Sequence, residues 1–211
     1  MQSIASFIRS QPTKVFMKNE PLLQQGEVPN AVYAIRSGLV KLSDISADGY
    51  EQVLWFAKKY DVVPLEWLFE DSTESPFFYT AHSETEVFVI PKKAFLEHID
   101  HDPSARTEIN KAISAKQRQL LQHISATLKP KARDKISHIL YYLALRFADN
   151  PNTHSTTIPL THQTIANLVG ITRETASLEL KQLRDEGYID YEKQHVLIHR
   201  QKLEEIVDAC D

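Results

Sequence analysis

Between residues 160 and 187 the sequence predicts two short helices joined by a tight turn, and this segment constrains the fold most strongly. Thr161 is a good N-cap for the first helix, and Gly170 supplies the break that ends it. Thr172 caps the second helix, which stops at Gly187. Apolar residues recur at helical spacing: Ile165, Leu168 and Val169 in the first helix, and Ala176, Leu180 and Leu183 in the second. Each helix therefore has one face to bury.

The opposite face of the second helix is polar and begins with Arg173 and Glu174. A helix that presents Arg and Glu from its first turns fits the major groove of B-DNA, where Arg pairs with guanine and Glu accepts from cytosine. An ordinary amphipathic pair with a solvated charged face has the same local pattern, so the context has to separate the two interpretations. The candidate DNA contacts are Thr161, Thr172, Arg173, Glu174, Ser177, Leu178 and Lys181.

Length and composition are typical of a globular protein with two domains. The chain has 211 residues, of which 42% are hydrophobic and 25% charged, enough to bury a sizeable core. No apolar run approaches the roughly 18 to 20 residues of a membrane span, and residues 1–14 lack the apolar core of a secretory signal. The single cysteine, Cys210, can form no intramolecular disulfide and excludes an all-cysteine iron–sulfur cluster within one chain. We expect a cytoplasmic protein with no membrane partner.

The net charge of −4 is distributed unevenly along the chain. Residues 1–100 carry nine Lys or Arg and fourteen Asp or Glu, a net charge of −5. Residues 101–128 carry four and two, a net of +2, and residues 129–211 carry eleven and twelve, a net of −1. Because the C-terminal half is not broadly basic, phosphate binding would depend on a few cations such as Lys181 and Arg184.

The N-terminal half is predicted to form short β-strands separated by turns. Period-two alternation is clearest over residues 32–42, and Asp48-Gly49 between two strand-like runs is a strong hairpin signal. Several short antiparallel strands at this spacing between residues 14 and 90 predict a jelly roll or a barrel.

Motifs within this half resemble those of the cyclic-nucleotide-binding β-roll. They are Gly26-Glu27, Tyr33-Ala34-Ile35, Gly38-Leu39-Val40-Lys41-Leu42 and Leu68-Phe69-Glu70, in this order and spacing. A winged helix-turn-helix pattern follows over residues 160–198. Together the two halves resemble the CRP/FNR superfamily of bacterial transcription regulators over nearly the whole chain. This combination favours DNA binding over the solvated helix pair.

The resemblance implies an α+β architecture with three parts. Residues 1–102 would form an N-terminal antiparallel, jelly-roll-like β-roll that senses an effector. Residues 103–129 would form a long dimerisation helix, and residues 130–211 a C-terminal winged helix-turn-helix. The resemblance also implies a homodimer that binds double-stranded DNA at a palindromic operator and regulates transcription in a sequence-specific way.

The residues that hold cyclic AMP in the family's cyclic-AMP receptors are not matched. Where those receptors have Gly-Glu-Leu, this chain has Val63-Pro64-Leu65-Glu66-Trp67, and Ser75-Pro76 replaces the phosphate-binding Arg-Ser pair. No arginine occurs between Arg36 and Arg106, and Leu120-Leu121 replaces the adenine-contacting Thr-Ser. A buried phosphate would lack its strongest charge-assisted hydrogen bonds, so cyclic AMP in the usual pose is not expected.

The candidate effector pocket is lined by Trp55, Glu66, Phe78, Tyr79, His82, Leu120 and Leu121. This set suits an apolar or aromatic ligand, and a filled core without a ligand fits equally well, so the effector is unknown or absent. His82 raises the question of haem, but one histidine beside aromatic residues is usually a packed residue. His98 and His101 are three residues apart, but Asp100-His101-Asp102-Pro103 is predicted to be a loop between helices. We assign no metal and no cofactor.

A long helix is predicted from Pro103-Ser104 to about residue 128. Its apolar residues repeat at about seven positions, which is typical of a two-stranded seam. The predicted dimer seam consists of Ile113, Gln117, Leu120 and Ile124. A helix that packs on its own β-roll is the other interpretation. A further helix is predicted over residues 132–148, followed by a loop over residues 149–157, two wing strands within residues 188–198 and a closing helix over residues 201–209.

An enzyme is not expected, because no Ser/His/Asp or Cys/His nucleophile pattern, Gly-rich phosphate loop or catalytic carboxylate pair stands out. Two rival functions stay open: a signalling β-roll that acts through a protein partner rather than DNA, and an enzyme-like metabolite pocket. The negative net charge of the chain slightly favours the β-roll that acts through a protein partner, and Arg173-Glu174 favours DNA binding. Two loops, residues 149–157 and the Asp48-Gly49 hairpin with Glu51, match surfaces through which family activators contact RNA polymerase.

Overall fold

The structure, a computed structural model, describes residues 4–69, 73–148, 150, 153–192 and 195–210, with only the backbone for Ala209 and Cys210. The chain divides into two compact units, Met1–Arg118 and Gln119–Asp211. Their boundary lies inside the long helix, and the predicted three-part division at residues 102 and 129 stays a prediction. Several residues of the sequence interpretation lie outside the described residues: Glu70, Asp149, Pro151, Asn152, Lys193 and Gln194.

The first unit contains two four-stranded antiparallel sheets. Its elements are α1 (Ile4–Arg9), β1 (Thr13–Phe16), β2 (Pro21–Leu23), β3 (Ala31–Ser37), β4 (Leu39–Ile45), β5 (Glu51–Lys58), β6 (Val62–Val63), β7 (Phe78–Ala81), β8 (Thr85–Pro91), α2 (Lys92–His101) and the first part of α3 (Pro103–Thr127). The strand orders are β1-β8-β3-β6 and β2-β7-β4-β5. The predicted antiparallel β-roll is confirmed.

Two glycine-dependent turns shape this β-roll. The Asp48-Gly49 hairpin is confirmed, because β4 and β5 pair from Ile45 opposite Glu51 and Gly49 has a φ of 84°. Gly38, between β3 and β4, has a φ of 88°, and a Cβ there would lie 2.3 Å from the carbonyl oxygen of Glu84. Both positions therefore require glycine.

An apolar cluster at the centre of the first unit joins one sheet to the helices around it. Its buried members include Val32, Ala34 and Ile90 from the sheet, Phe95 from α2 and Ile109 from α3. Strand residues alternate between this core and the outside, as period two requires. The first four turns of α3 are thus anchored to the β-roll by their own apolar residues.

The junction of α2 and α3 is shorter than the sequence suggested. Asp100 and His101 belong to the last turn of α2, so only Asp102 separates the two helices. Oδ1 of Asp102 accepts hydrogen bonds from the backbone N–H and the hydroxyl of Ser104, at 2.9 and 2.7 Å. These bonds, with the Ser104 hydroxyl first, lower the pKa of the Asp102 carboxyl. The predicted loop was wrong because a single capping aspartate before Pro103 suffices to start a new helix.

The second unit is a winged helix-turn-helix. Its elements after the end of α3 are α4 (Ala132–Phe147), β9 (Ser155–Ile158), α5 (His162–Val169), α6 (Arg173–Asp185), β10 (Ile189–Glu192), β11 (His195–His199) and α7 (Arg200–Cys210). The sheet has the order β10-β11-β9. The long helix and the helix-turn-helix agree with the sequence, so the α+β fold class is confirmed.

Two elements were not predicted. Helix α1 precedes the β-roll, and strand β9 lies where a loop was expected over residues 149–157. Strand β9 pairs with β11 from Ile158 opposite Val196 to Ser155 opposite His199. The turn residues before β9 suggested a loop, whereas the strand forms because β11 offers it an edge.

Candidate nucleic-acid interface and effector pocket

The turn between α5 and α6 is fixed by the predicted caps. Oγ1 of Thr161 accepts a hydrogen bond from the backbone N–H of Thr164 at 3.1 Å, and Oγ1 of Thr172 accepts one from Thr175 at 3.2 Å. Gly170 ends α5 with φ 67° and ψ 47°, the left-handed conformation. The hydroxyls of Thr161 and Thr172 therefore have a structural task, because they satisfy N–H groups that no helical carbonyl can reach.

Helix α6 buries one face and exposes most of the predicted base-reading residues on the other. The buried residues are Ala176, Leu180 and Leu183. Arg173 and Glu174 are exposed in the first turn, Lys181 is exposed two turns later, and Leu178 is 65% exposed. The side chain of Leu178 is therefore accessible to a partner on the same face as Arg173 and Glu174.

Ser177 does not share this exposed face, contrary to the sequence interpretation. It is half-buried, and its Oγ lies 2.9 Å from Nδ1 of His162, the first residue of α5. Ser177 lies only about 60° around the helix from Leu180, at the edge of the buried stripe, so α5 covers it. Nε2 of His162 lies 2.8 Å from Oη of Tyr191 on β10, and the two rings are 5.6 Å apart.

His162 therefore joins α5, α6 and the wing, and sequence reasoning missed it. A neutral imidazole donates at one nitrogen and accepts at the other, which suits two hydroxyl partners. Burial lowers the pKa of His162, and the positive charge of Arg173 lowers it further. Its partners lie 15 and 29 positions away in the chain, so local pattern carries no signal of these contacts.

The far end of α6 is tied to α4 by a bidentate ion pair. Nη1 and Nη2 of Arg133 donate to the two carboxylate oxygens of Glu186 at 2.9 and 2.6 Å. Arg184 pairs with its neighbour Asp185 at 2.9 Å. Among the described residues no carboxylate lies within ion-pair distance of Lys181, so its ammonium group is available to a phosphate.

In the first unit, two of the predicted pocket residues, Trp55 and Glu66, contact a lysine that sequence reasoning missed. Lys116 of α3 is buried, forms an ion pair with Glu66, and lies with its Nζ 4.5 Å from the centre of the Trp55 ring. Burial, and then the charge of Glu66, raises the pKa of Tyr79. Among the described residues, Glu66 Oε2, Trp67 Nε1 and Tyr79 Oη are buried without a hydrogen-bond partner.

The other predicted lining residues take different positions. Phe78 and His82 are half-buried, and the His82 ring packs edge-on against Phe56 with ring centres 5.1 Å apart. Leu120 is half-buried and Leu121 is 60% exposed; both belong to the second unit. No group of three potential metal-ligating His, Cys, Asp or Glu side chains occurs within the described ranges.

The exposed stripe of α3 differs from the predicted seam. Ile113 is half-buried and packs against the core of its own β-roll, and Leu120 is half-buried as well. The exposed apolar residues near the end of this helix are Leu121, Ile124 and Leu128, at 60%, 51% and 77%. With the exposed Gln117 they follow one another at spacings of four, three and four, a heptad pattern. Of the predicted seam residues, Gln117 and Ile124 are exposed on this stripe and Ile113 and Leu120 are half-buried, and the seam itself stays a prediction.

A β-roll followed by a long helix and a winged helix-turn-helix defines a class of DNA-binding transcription regulators. The family model of the cyclic nucleotide-binding domain matches residues 13–102, and that of the Crp-like helix-turn-helix domain matches residues 134–206. The chain belongs to the CRP/FNR superfamily and is a DNA-binding transcription regulator. No helix in the described ranges is both long and apolar enough to span a membrane.

Relatives with assigned functions are similar over most of the chain. The transcriptional activator protein FnrA of Stutzerimonas stutzeri is 27% identical over 191 residues, which are 90% of this chain and 76% of the relative. The transcriptional activator protein anr of Pseudomonas aeruginosa is 28% identical with the same coverage. Solved structures share the fold at 20% identity: FixK2 from Bradyrhizobium japonicum (TM-score 0.78) and the c-di-GMP responsive regulator CLP of Xanthomonas campestris (TM-score 0.69), each covering 92% of this chain and 96% of its own.

Proposed function

We propose that the protein works in the cytoplasm as a homodimer that reads an inverted-repeat operator with α6 of each protomer, and that it is not an enzyme. One observation carries the proposal: Arg173 and Glu174 are exposed in the first turn of a helix whose opposite face is fully buried. An α-helix placed in this way can enter the major groove with its N-terminal residues against the base edges.

The exposed residues suggest a division of labour. Arg173 would donate to guanine, and Glu174 would accept from the amino group of cytosine. Leu178 has no donor, so its natural partner is the methyl group of thymine. Lys181, which has no carboxylate partner among the described residues, suits a backbone phosphate. Ser177 is excluded from base readout in this proposal because His162 holds its hydroxyl.

The exposed heptad of α3 supports the dimer. Gln117, Leu121, Ile124 and Leu128 follow a heptad spacing along this helix, and each is exposed in the described part of the chain. Two copies of such a stripe can bury one another in a coiled coil, and the polar Gln117 would help to fix the register. The dimer would present two α6 helices to half-sites about one helical turn apart.

We further propose that cyclic AMP is not the effector. The pocket already contains the ammonium of Lys116, paired with Glu66 and stacked on Trp55. A cyclic phosphate would have to displace Lys116 or approach the Glu66 carboxylate, and no arginine between residues 36 and 106 is present to offset its charge. Isothermal titration with cyclic AMP is expected to show no micromolar binding and no gain in DNA affinity.

Selection from a randomised DNA library tests the readout. The wild-type chain is expected to select inverted half-sites, and Leu178→Arg should add a guanine preference at one position of each half-site. Lys181→Ala serves as the control, because loss of a phosphate contact weakens all sequences alike and lowers the salt dependence. If the wild type selects no sequence and its binding does not depend on salt, a protein partner replaces DNA as the target.

A contact with RNA polymerase through the Asp48-Gly49 hairpin is also part of the proposed function. The tip of the Asp48-Gly49 hairpin is exposed, whereas Glu51 at its base is half-buried and pairs with Lys41 at 2.5 Å. The other predicted surface, residues 149–157, is only partly within the described residues. In vitro transcription with Asp48→Ala is expected to show reduced activation with unchanged DNA binding. An unchanged transcript level would favour repression by occlusion.

A further inference from the structure

A second cavity, of about 960 Å³, is lined by none of the residues around Lys116. Its walls come from α1, from strands β3, β6 and β8 of one sheet, and from α3. The volume lies at the upper end of the usual range for small-molecule pockets, roughly 300 to 1,000 Å³. All of its lining residues belong to the first unit, so the cavity is a property of the β-roll and its own helices.

The floor of this cavity is apolar. Ile8, Val62 and Phe88 pack against the central cluster but are only half-buried, so part of their apolar surface faces the cavity. Ala34 and Ala112 also line it, and their small side chains leave room that larger residues would fill. An apolar floor of this kind supplies the affinity of a pocket, while a few polar groups set orientation.

Charged residues surround the floor, and their pairing leaves a cationic excess. Nη1 of Arg36 and Oε1 of Glu86 form an ion pair at 2.8 Å. Arg9 and Lys59 have no carboxylate within ion-pair distance among the described residues, and Glu108 is the remaining acid in the lining. The unpaired lining thus has two cations and one acid, whereas residues 1–100 as a whole carry a net charge of −5.

Tyr60 lines the cavity and is held in an unfavourable conformation. It has a φ of 76° and is 80% exposed, while its N–H donates to the carbonyl oxygen of Ile35 at 3.0 Å. Nζ of Lys59 lies 5.0 Å from the centre of the Tyr60 ring. A non-glycine residue at positive φ is strained and persists where the surroundings or a function require it. An exposed aromatic ring beside a cation contributes little to folding stability. It is well placed to contact a ligand.

We propose that this cavity binds a small monocarboxylate with an apolar body. Arg9 and Lys59 hold the carboxylate, and the body lies on Ile8 and Phe88 with the Tyr60 ring over it. The carboxylate of Glu108 disfavours a second negative charge on the ligand, so dicarboxylates and phosphates fit less well. The site is separate from the pocket of Lys116 and does not depend on the proposed mode of DNA binding.

Isothermal titration of the full chain without DNA tests the proposal. The probe is decanoate below its aggregation concentration, with decanol as the uncharged counterpart. We expect saturable binding of one decanoate per chain and at least tenfold weaker binding of decanol. Arg9→Gln and Lys59→Gln should each weaken decanoate about tenfold, as the loss of one charge-assisted contact implies. Lys18→Gln removes an exposed lysine outside the cavity and should change nothing.

A second pair of variants controls for the possibility that a substitution weakens binding by unfolding the protein. Tyr60→Gly relieves the positive φ, so its thermal midpoint should stay equal or rise while decanoate binding weakens about fivefold or more. Asn19→Gly, at the other non-glycine residue with positive φ, should leave binding unchanged. Equal binding of decanol and decanoate, equal effects of Lys59→Gln and Lys18→Gln, or no saturable binding to the wild type would each overturn the proposal.

Discussion

The helix-turn-helix and the β-roll pocket use their charged residues in opposite ways. On α6, the charged side chains of Arg173, Glu174 and Lys181 are exposed and accessible to a partner. In the pocket, Lys116 is buried against Glu66 and Trp55, so its charge is satisfied within the chain. Exposed charges contribute little to stability, whereas breaking a buried pair is costly. The contrast supports the proposals that α6 contacts DNA and that Lys116 and Glu66 stabilise the β-roll without an effector.

The largest effect is expected from breaking the pocket pair. Lys116→Ala leaves the Glu66 carboxylate without its partner, and we expect a loss of about 3 kcal/mol in the free energy of unfolding. The value lies at the low end for buried pairs because the Glu66 side chain keeps 25% exposure. Urea unfolding measures it. The double variant Glu66→Gln with Lys116→Met should recover most of the loss, and a loss below about 1 kcal/mol for Lys116→Ala would show that solvent screens the pair.

The second largest effect separates the two faces of α3. Ile124→Glu places a charge on the exposed stripe, so we expect the dimer to weaken by about 2 kcal/mol, roughly 30-fold in Kd, with an unchanged unfolding profile of the monomer. Ile113→Glu puts the charge against the β-roll core instead and should lower stability before it affects assembly. Analytical ultracentrifugation measures the dissociation constant of the dimer for both variants. If Ile113→Glu weakened the dimer more than Ile124→Glu, Ile113 would belong to the seam.

The third largest effect is expected from a substitution that removes a base contact. Arg173→Ala should remove about 1.5 kcal/mol of discrimination at one base pair of each half-site, because one bidentate contact is lost. Competition binding with single-base variants of the selected operator measures this difference. Lys181→Ala is the matched control. If Arg173→Ala weakens all sequences by the same factor, Arg173 contacts phosphate rather than guanine.

The smallest effect concerns the link from α6 to the wing. Tyr191→Phe removes one hydroxyl, so His162 loses one hydrogen bond and DNA affinity should fall by about 1 kcal/mol. Fluorescence anisotropy on the operator gives the value. Tyr188→Phe is the control, because Tyr188 immediately precedes β10 and its hydroxyl makes no hydrogen bond to His162. Equal losses in the two variants would show that His162 does not position α6.

His162 also predicts opposite pH dependences for folding and for DNA binding. Its pKa is lowered in the folded chain by burial and by Arg173, so the unfolded chain takes up the proton first. The stability that neutral His162 contributes is complete above about pH 6.5 and is lost as the pH falls through the lower, folded pKa. Bound phosphates favour the imidazolium, so operator affinity should rise as the pH falls from 7.5 to 5.5. His162→Gln should flatten both profiles, and an operator affinity that falls with pH would contradict this assignment.

The sequence predicted those parts of the fold that depend on neighbours in the chain. The caps Thr161 and Thr172 and the Asp48-Gly49 turn act within three or four residues, so their chemistry is visible locally. Strand β9 was missed because Ser155–Ile158 becomes a strand only beside β11. The sequence could not show that Ile113 packs on the β-roll core, since the heptad period suits two adjacent stripes of α3 and the contacts of the β-roll decide which one is covered.

The candidate sites show the same limit. Arg173, Glu174 and Leu178 could be placed from helical geometry, because the buried stripe of α6 is clear in the sequence. The pair Lys116 and Glu66 is 50 positions apart, and nothing in either segment marks the other. Polar pairs that close over a long loop are therefore where single-sequence reasoning fails, even when the fold is right.

In the proposed function, Lys116 would compete within the chain with any effector that binds beside Glu66 and Trp55. An effector that displaced it would bind only the fraction of molecules in which the lysine has left, and its apparent affinity would fall by that fraction. Molecules that bring their own ammonium group suffer least, because they can restore the contacts with Glu66 and Trp55. The pair of Lys116 and Glu66 thus supports the proposal that cyclic AMP is not the effector.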